Sequence, residues 1–190
     1  MVLGPGAGFG VAAVARSQHV DIAVATEGGH AGFAPHDAVE AKVWARLAER
    51  FGRVSIERVL SGQGLYDLHL ALQAQAGQAS DLADERAVIK AAEAGDAAAI
   101  ATLDRFCAIL GGVAGDLALS HGARGGVYVS GGIAPRMIER LMAGGFRQRF
   151  EAKGRLSDYV RDIPTFLITH PYAALVGCAR ELGQLEALRL

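Results

Sequence analysis

Between Asp96 and Gly122 the chain carries Ile100, Leu103, Cys107, Leu110, Ala114 and Leu117 at steps of three and four. Only an α-helix turns residues at that spacing to one side, and a helix this long needs a core to receive the stripe. Gly111, Gly112 and Gly115 interrupt it, although each glycine costs a helix about 1 kcal/mol against alanine. Close approach by another helix or by a ligand would account for them, and so would a plain packing groove.

Shorter elements surround this helix. Phe9 to Ala15 and Val20 to Thr26 read as strands rich in Val and Ala, joined as an antiparallel hairpin by a polar turn near Arg16-Ser17-Gln18. The turn opening at Gly4-Pro5-Gly6 looks like the end of a strand. Asp37 is placed to cap a helix running to about Arg50 and stopped by Gly52. Ser55 suits the cap of a short turn carrying Glu57 and Arg58. Further helices are predicted from about Leu65 to Gln75 and from Asp84 to Ala94. Val127 to Ser130 reads as a buried strand, and Gly131-Gly132 leads from it into a helix over Ala134 to Met142. Thr165 to Thr169 is the last strand, and Leu175, Cys178, Leu182 and Leu185 form the stripe of a terminal helix. The order is mixed α and β, with no internal repeat.

A chain of 190 residues fits one domain, or one domain plus a fragment. Its 19 Lys and Arg against 20 Asp and Glu leave a formal charge of −1, which argues against a nucleic-acid partner. No run reaches the roughly 18 consecutive apolar residues of a membrane span, and Met1 to Gly6 lacks the basic start of a signal peptide. A soluble cytoplasmic protein with no membrane partner is expected. Cys107 and Cys178 are expected to be buried free thiols. Without a CxxC pair or a His cluster, no metal site is expected.

Three glycine-bearing segments could carry chemistry. Gly4-Pro5-Gly6-Ala7-Gly8-Phe9-Gly10 could bring backbone N–H groups to an anion, but it matches neither phosphate-loop nor dinucleotide patterns, and a tight hairpin turn fits equally. Thr26-Glu27-Gly28-Gly29-His30, with Glu57 further on, offers charged acceptors and an imidazole suited to sugar hydroxyls. A solvated surface turn is the plainer alternative. Gly125 to Ile133 is a strand ending in glycines before a helix, a common place for a nucleotide and an ordinary structural turn as well.

In this order these segments resemble the bacterial glucokinase family, a branch of the actin-like sugar kinases. The stretches that carry the likeness are Gly4-Pro5-Gly6, Glu27-Gly28-Gly29-His30 with Phe33-Ala34-Pro35, Ser55 to Gly62, Phe106 to Gly111, Gly126 to Arg136, Phe150 to Arg155, Asp158-Tyr159-Val160, Asp162 to Thr165 and His170-Pro171. The resemblance implies an α/β, ribonuclease H-like large lobe, a mixed sheet with packed helices, over residues 1–170. It implies that residues 171–190 form a helix returning to an N-terminal lobe. By the same resemblance, Glu27, His30 and Glu57 bind glucose, and Gly4, Gly6, Ala7 and Gly8 meet the phosphates of ATP. Gly131 and Gly132 line the nucleotide cleft, and Mg2+ arrives with the ATP. A homodimer through this lobe is implied too.

Three positions depart from the family pattern: Ala7 stands where threonine is usual, Gln63 where proline is, and Ala173-Ala174 where Pro-Gly is. The family's Asp-rich phosphate loop and the Asn-Asp pair that supplies its general base have no counterpart here. The chain is therefore expected to bind sugar weakly and to turn over slowly by itself. Two other readings stay open: a non-catalytic sugar- or nucleotide-binding module, and a kinase for a related hexose.

Overall fold

The computed structural model of the chain describes residues 1–16 and 21–187. In chain order the strands and helices are β1 (Val2–Pro5), β2 (Phe9–Arg16), β3 (Asp21–Thr26), α1 (Ala38–Phe51), α2 (Gly62–Gln75), α3 (Glu85–Glu93), α4 (Ala97–His121), β4 (Val127–Val129), α5 (Ile138–Met142), α6 (Gly145–Glu151), α7 (Ser157–Arg161), β5 (Thr165–Leu167) and α8 (Ala173–Ala187). Tight 3-10 turns occupy Gly28–His30, Ala134–Met137 and Gly154–Leu156.

Helix starts follow side-chain caps. Asp37, Ser61, Asp84 and Asp96 each accept the N–H three residues on, at 2.9, 3.1, 2.8 and 2.7 Å. The Ser61 cap starts α2 at Gly62, earlier than the apolar pattern indicates. Gly64 fits there because it lies on the backbone of Val59, where a Cβ would be 2.6 Å from the carbonyl. Gly52 stops α1, and left-handed Gly122 stops α4.

The sheet order is β3-β2-β1-β4-β5. The pairs β3–β2 and β2–β1 are antiparallel, while β1–β4 and β4–β5 are parallel. Leu3, Phe9, Val11, Val127 and Val129 turn to the helices and are buried. The other face is open: Val14, Tyr128 and Phe166 are exposed, and the last two rings stack with centroids 4.9 Å apart.

The helix α4 is long and apolar enough to cross a membrane by length and composition alone. Its Leu103, Phe106, Cys107, Leu110 and Ala114 are all buried in the core. Its glycines serve close helix approach. A Cβ at Gly111 would strike the Phe146 carbonyl, and one at Gly115 the Phe150 carbonyl, so the backbone of α6 lies directly on α4.

Several expectations change. Cys107 is buried, but Cys178 is exposed, because α8 leaves Leu175, Val176 and Leu182 open to solvent. The Leu185 side chain, and Ser17, Gln18 and Val20 of the hairpin, lie outside the described residues. The helix expected over Ala134 to Met142 begins as a 3-10 turn with Pro135 in its first turn, where the Arg136 N–H donates to the Ile133 carbonyl at 3.0 Å. The last strand ends at Leu167, before Thr169. Helices α6 and α7 have 7 and 5 residues, too few for a visible period.

The substitution Gly111→Ala is expected to lower stability by about 2 kcal/mol or more, since backbone must move. Gly112→Ala meets only the tip of Arg149, at 3.4 Å, and should cost well under half of that. Urea denaturation of the two variants side by side makes the comparison.

Candidate functional site

Because β1 and β4 are parallel neighbours, the turns that follow them emerge at the same end of the sheet. A crevice at the carboxyl ends of parallel strands is where open α/β sheets take ligands. After β1, residues 6–8 close a hairpin between paired Pro5 and Phe9. The Gly6 N–H donates to the Gly8 carbonyl, and the Gly62 N–H to the Gly6 carbonyl, both at 2.8 Å. Among the described residues the N–H groups of Ala7 and Gly8 have no partner, and Ala7 is exposed. The turn expected to open at Gly4 therefore opens at Gly6, with Gly4 inside β1.

The turn after β4 lies against this hairpin. Gly131 adopts φ +91, and a Cβ there would run into the Pro5 carbonyl, so the position takes glycine for both reasons. Gly4 faces it, its Cβ position 3.4 Å from the Gly131 nitrogen. Gly131 and Gly132 are both exposed.

The Glu27–His30 loop follows β3 on the adjoining side. The His30 N–H donates to the Glu27 carbonyl at 2.9 Å, giving the 3-10 turn. A second segment is laced to this loop: the N–H groups of Glu57 and Ile56 donate to the carbonyls of Gly29 and Ala31 at 2.9 Å. Residues 27, 30 and 57 are thus backbone neighbours. Their side chains divide. Glu27 and His30 stand in solvent with Oε2 and Nε2 3.9 Å apart, while the Glu57 carboxylate turns to the hairpin and accepts the Phe9 N–H at 2.8 Å.

Beside the hairpin a hollow of about 90 Å³ is lined by Ala7, Glu57, Arg58, Ser61, Gln63 and Asp67 among others. Sequence reasoning passed over Arg58, Ser61 and Asp67. The Arg58 guanidinium lies 4.0 Å from the centre of the Phe51 ring, and buried Asp67 accepts from Arg50 at 2.8 Å and from Gln63 at 3.0 Å. Serine is a favoured N-cap residue, so Ser61 could have been read as the start of α2. The partners of Asp67 depend on packing.

Behind the site lies a buried charge network. Glu40 has no solvent exposure and accepts from Arg149 at 2.8 Å, from Arg105 at 3.2 Å and from the His36 N–H at 2.9 Å. Arg105 also binds Asp37, the α1 cap. The network joins α1, α4 and α6, and holds the chain at His36, where the loop from Glu27 ends. Burial pushes the Glu40 carboxyl up, but Arg149, the His36 N–H and Arg105 together hold it below the usual glutamate value.

Other polar and thiol groups in the core are structural. His69 is buried between Thr102 and Ser80, at 2.9 Å from each, and burial holds its pKa down. Burial, with Asp104 adding to it and Arg140 opposing, pushes the Cys107 thiol up to about 12, so it is no nucleophile. Among the described residues no three His, Cys, Asp or Glu side chains converge to hold a metal.

The profile of the family described as Glucokinase matches residues 1–185. The glucokinase of Caulobacter sp. strain K31 is 52% identical over 178 residues, covering 94% of this chain and 54% of that protein. That of Hahella chejuensis is 46% identical over 187 residues, covering 98% and 58%. Among solved structures, a glucokinase from an Antarctic psychrotroph superposes with TM-score 0.91 at 38% identity, over 96% of this chain and 57% of that one. A glucokinase from Balamuthia mandrillaris in complex with glucose shares the fold, with TM-score 0.76 at 21% identity. The chain spans little more than half the length of the curated relatives it matches.

Since the folded Glu40 pKa is depressed, its contribution is fully present above the ordinary glutamate range, about 4.3, and is lost as pH falls through the lower folded value. Glu40→Gln leaves two arginines without their buried charge partner, which costs about 3–5 kcal/mol at pH 7. The variant should also lose stability less steeply below about pH 4, with Asp37 supplying the remaining slope. Urea midpoints measured from pH 7 to 3 for both proteins check the cost and the slope.

Proposed function

Given that the chain belongs to the glucokinase family, we propose that it forms the sugar- and nucleotide-binding lobe of an enzyme that moves the γ-phosphoryl group of ATP to the 6-hydroxyl of glucose. The observation that carries this reading is the bond from the Glu57 N–H to the Gly29 carbonyl. It gathers the Glu27, His30 and Glu57 positions beside a hairpin whose tip amides have no partner among the described residues.

In this proposal Glu27 and Glu57 accept sugar hydroxyls, and His30 accepts or donates according to its tautomer. Gly131, Gly132, Gly4 of β1 and the hairpin residues Gly6, Ala7 and Gly8 frame the nucleotide, with the free amides of Ala7 and Gly8 toward its phosphates. Mg2+ would arrive with the ATP and would offset the charge of its phosphates. Such transfer depends mainly on positioning and on charge stabilisation. The base that takes the hydroxyl proton is, by the family resemblance, an aspartate of the N-terminal lobe. The exposed Leu175, Val176 and Leu182 of α8 support the reading that this helix meets that lobe. A homodimer and a cytoplasmic setting complete the proposal.

Ala7 favours a second reading, a binding module with little catalysis. An exposed methyl stands at the hairpin tip where the family usually has a hydroxyl. Ala7→Thr should tighten ADP binding about 2- to 10-fold, the worth of one hydrogen bond, as read by calorimetry. An unchanged affinity would remove this position from the nucleotide site.

Glucose titration by calorimetry should give weak binding to this chain, weakened further about tenfold or more by His30→Ala or Glu27→Gln. Mannose and N-acetylglucosamine should bind more weakly than glucose. In a coupled ADP-release assay the chain alone should stay below the roughly 1–100 s⁻¹ of working kinases. Glucose affinity indifferent to both substitutions would end the sugar-site assignment.

A further inference from the structure

We propose that Glu57 is a positioning residue shared by both halves of the site: its carboxylate couples the hairpin at residues 6–8 to the loop carrying Glu27 and His30. This rests on the sugar-kinase reading above and adds a mechanical link between its two subsites.

The link closes around one residue. The Phe9 N–H, the first after the hairpin, donates to Glu57 Oε2 at 2.8 Å. The Phe9 carbonyl is pressed on Gly29, where a Cβ would strike it. Gly29 in turn accepts the Glu57 N–H at 2.9 Å. Residues 9, 29 and 57 therefore hold one another, and displacement of any one is felt by the other two.

The hairpin is cut to receive this carboxylate. A Cβ at Gly8 would lie 2.5 Å from Glu57 Oε2 and 3.3 Å from its carboxyl carbon, so the acid fills the space a side chain would take. Gly6 is fixed separately by the Gly62 N–H at 2.8 Å, which leaves Ala7 and Gly8 as the part Glu57 controls. Among the described residues Oε1 has no partner, and Glu57 is half-buried. One oxygen sets the hairpin while the other stays available to a hydroxyl.

A sugar hydroxyl drawing on Oε1 thus pulls on the group that sets the Phe9 amide. A phosphate drawing on the hairpin tip pulls on the same group from the other side. Coupling of this kind is reciprocal, so each ligand should alter the affinity for the other.

Hydrogen exchange of the Phe9 amide, followed by NMR, tests the link directly. Glu57→Ala should speed that exchange about tenfold or more, the expected effect of losing a charge-assisted hydrogen bond. Glu57→Gln keeps an acceptor oxygen and should remain near wild type, whereas a general loss of stability would speed exchange throughout the core. His30→Ala should weaken glucose binding and leave the Phe9 amide unchanged. From the other side, Gly8→Ala should weaken glucose binding about tenfold without nucleotide present, because its methyl displaces the carboxylate.

Phe9 exchange in Glu57→Ala equal to wild type, or undiminished glucose affinity in Gly8→Ala, overturns the proposal. If Glu57→Ala fails to fold by circular dichroism, Gly8→Ala decides it, through Phe9 exchange and glucose affinity together. If the wild type binds no glucose at all, the sugar reading falls. Phe9 exchange then still decides whether Glu57 sets the hairpin.

Discussion

Everything at the candidate site depends on the parallel pairing of β1 with β4. These strands are separated by about 125 residues of chain, yet the Tyr128 N–H donates to the Met1 carbonyl at 2.9 Å and the Ser130 N–H to the Leu3 carbonyl at 2.8 Å. That ladder sets the hairpin beside Gly131. Without it the two glycine turns would be unrelated loops. Behind the sheet, Leu3, Val127 and Val129 share one buried core with the α4 stripe, and α6 lies on the α4 glycines.

Loop geometry here is held by contacts that are mostly backbone. The bonds from Glu57 and Ile56 to Gly29 and Ala31, and from Gly62 to Gly6, use no side chains. Carboxylates add to them: Glu57 takes the Phe9 N–H, buried Glu40 takes its two arginines, and buried Asp67 takes Arg50 and Gln63. Buried pairs of this sort contribute little net stability relative to apolar packing but are costly to break on one side. They suit a place where the path of the chain must be unique. The open face of the sheet carries stacked Tyr128 and Phe166 instead.

Much of this was legible in the sequence where the signal is local. The caps at Asp37 and Asp96, the stops at Gly52 and Gly122 and the stripe of α4 each follow from residues within a turn or two of one another. The family likeness then supplied the fold class, a mixed sheet with packed helices, but not the strand order. What the sequence hid is what depends on distant contact. The Gly111 and Gly115 notches could equally have served a ligand until α6 was seen lying on them. Cys178 looked buried because its neighbours are apolar, but among the described residues nothing covers that side of α8. The grouping of residues 27, 30 and 57 was anticipated as a set, while the turn of the Glu57 carboxylate toward Phe9, away from the other two, was not.

The seat of Gly29 on the Phe9 carbonyl has a consequence for how such a protein can diversify. A loop seated on a strand at Gly29 has its side-chain tips as the part most open to change. If the sugar-site proposal holds, drift toward another ligand would run through the solvent-facing groups at 27 and 30, with the main chain beneath them as an inherited template. Two descendants with different tastes should still superpose, atom for atom, along that stretch of backbone.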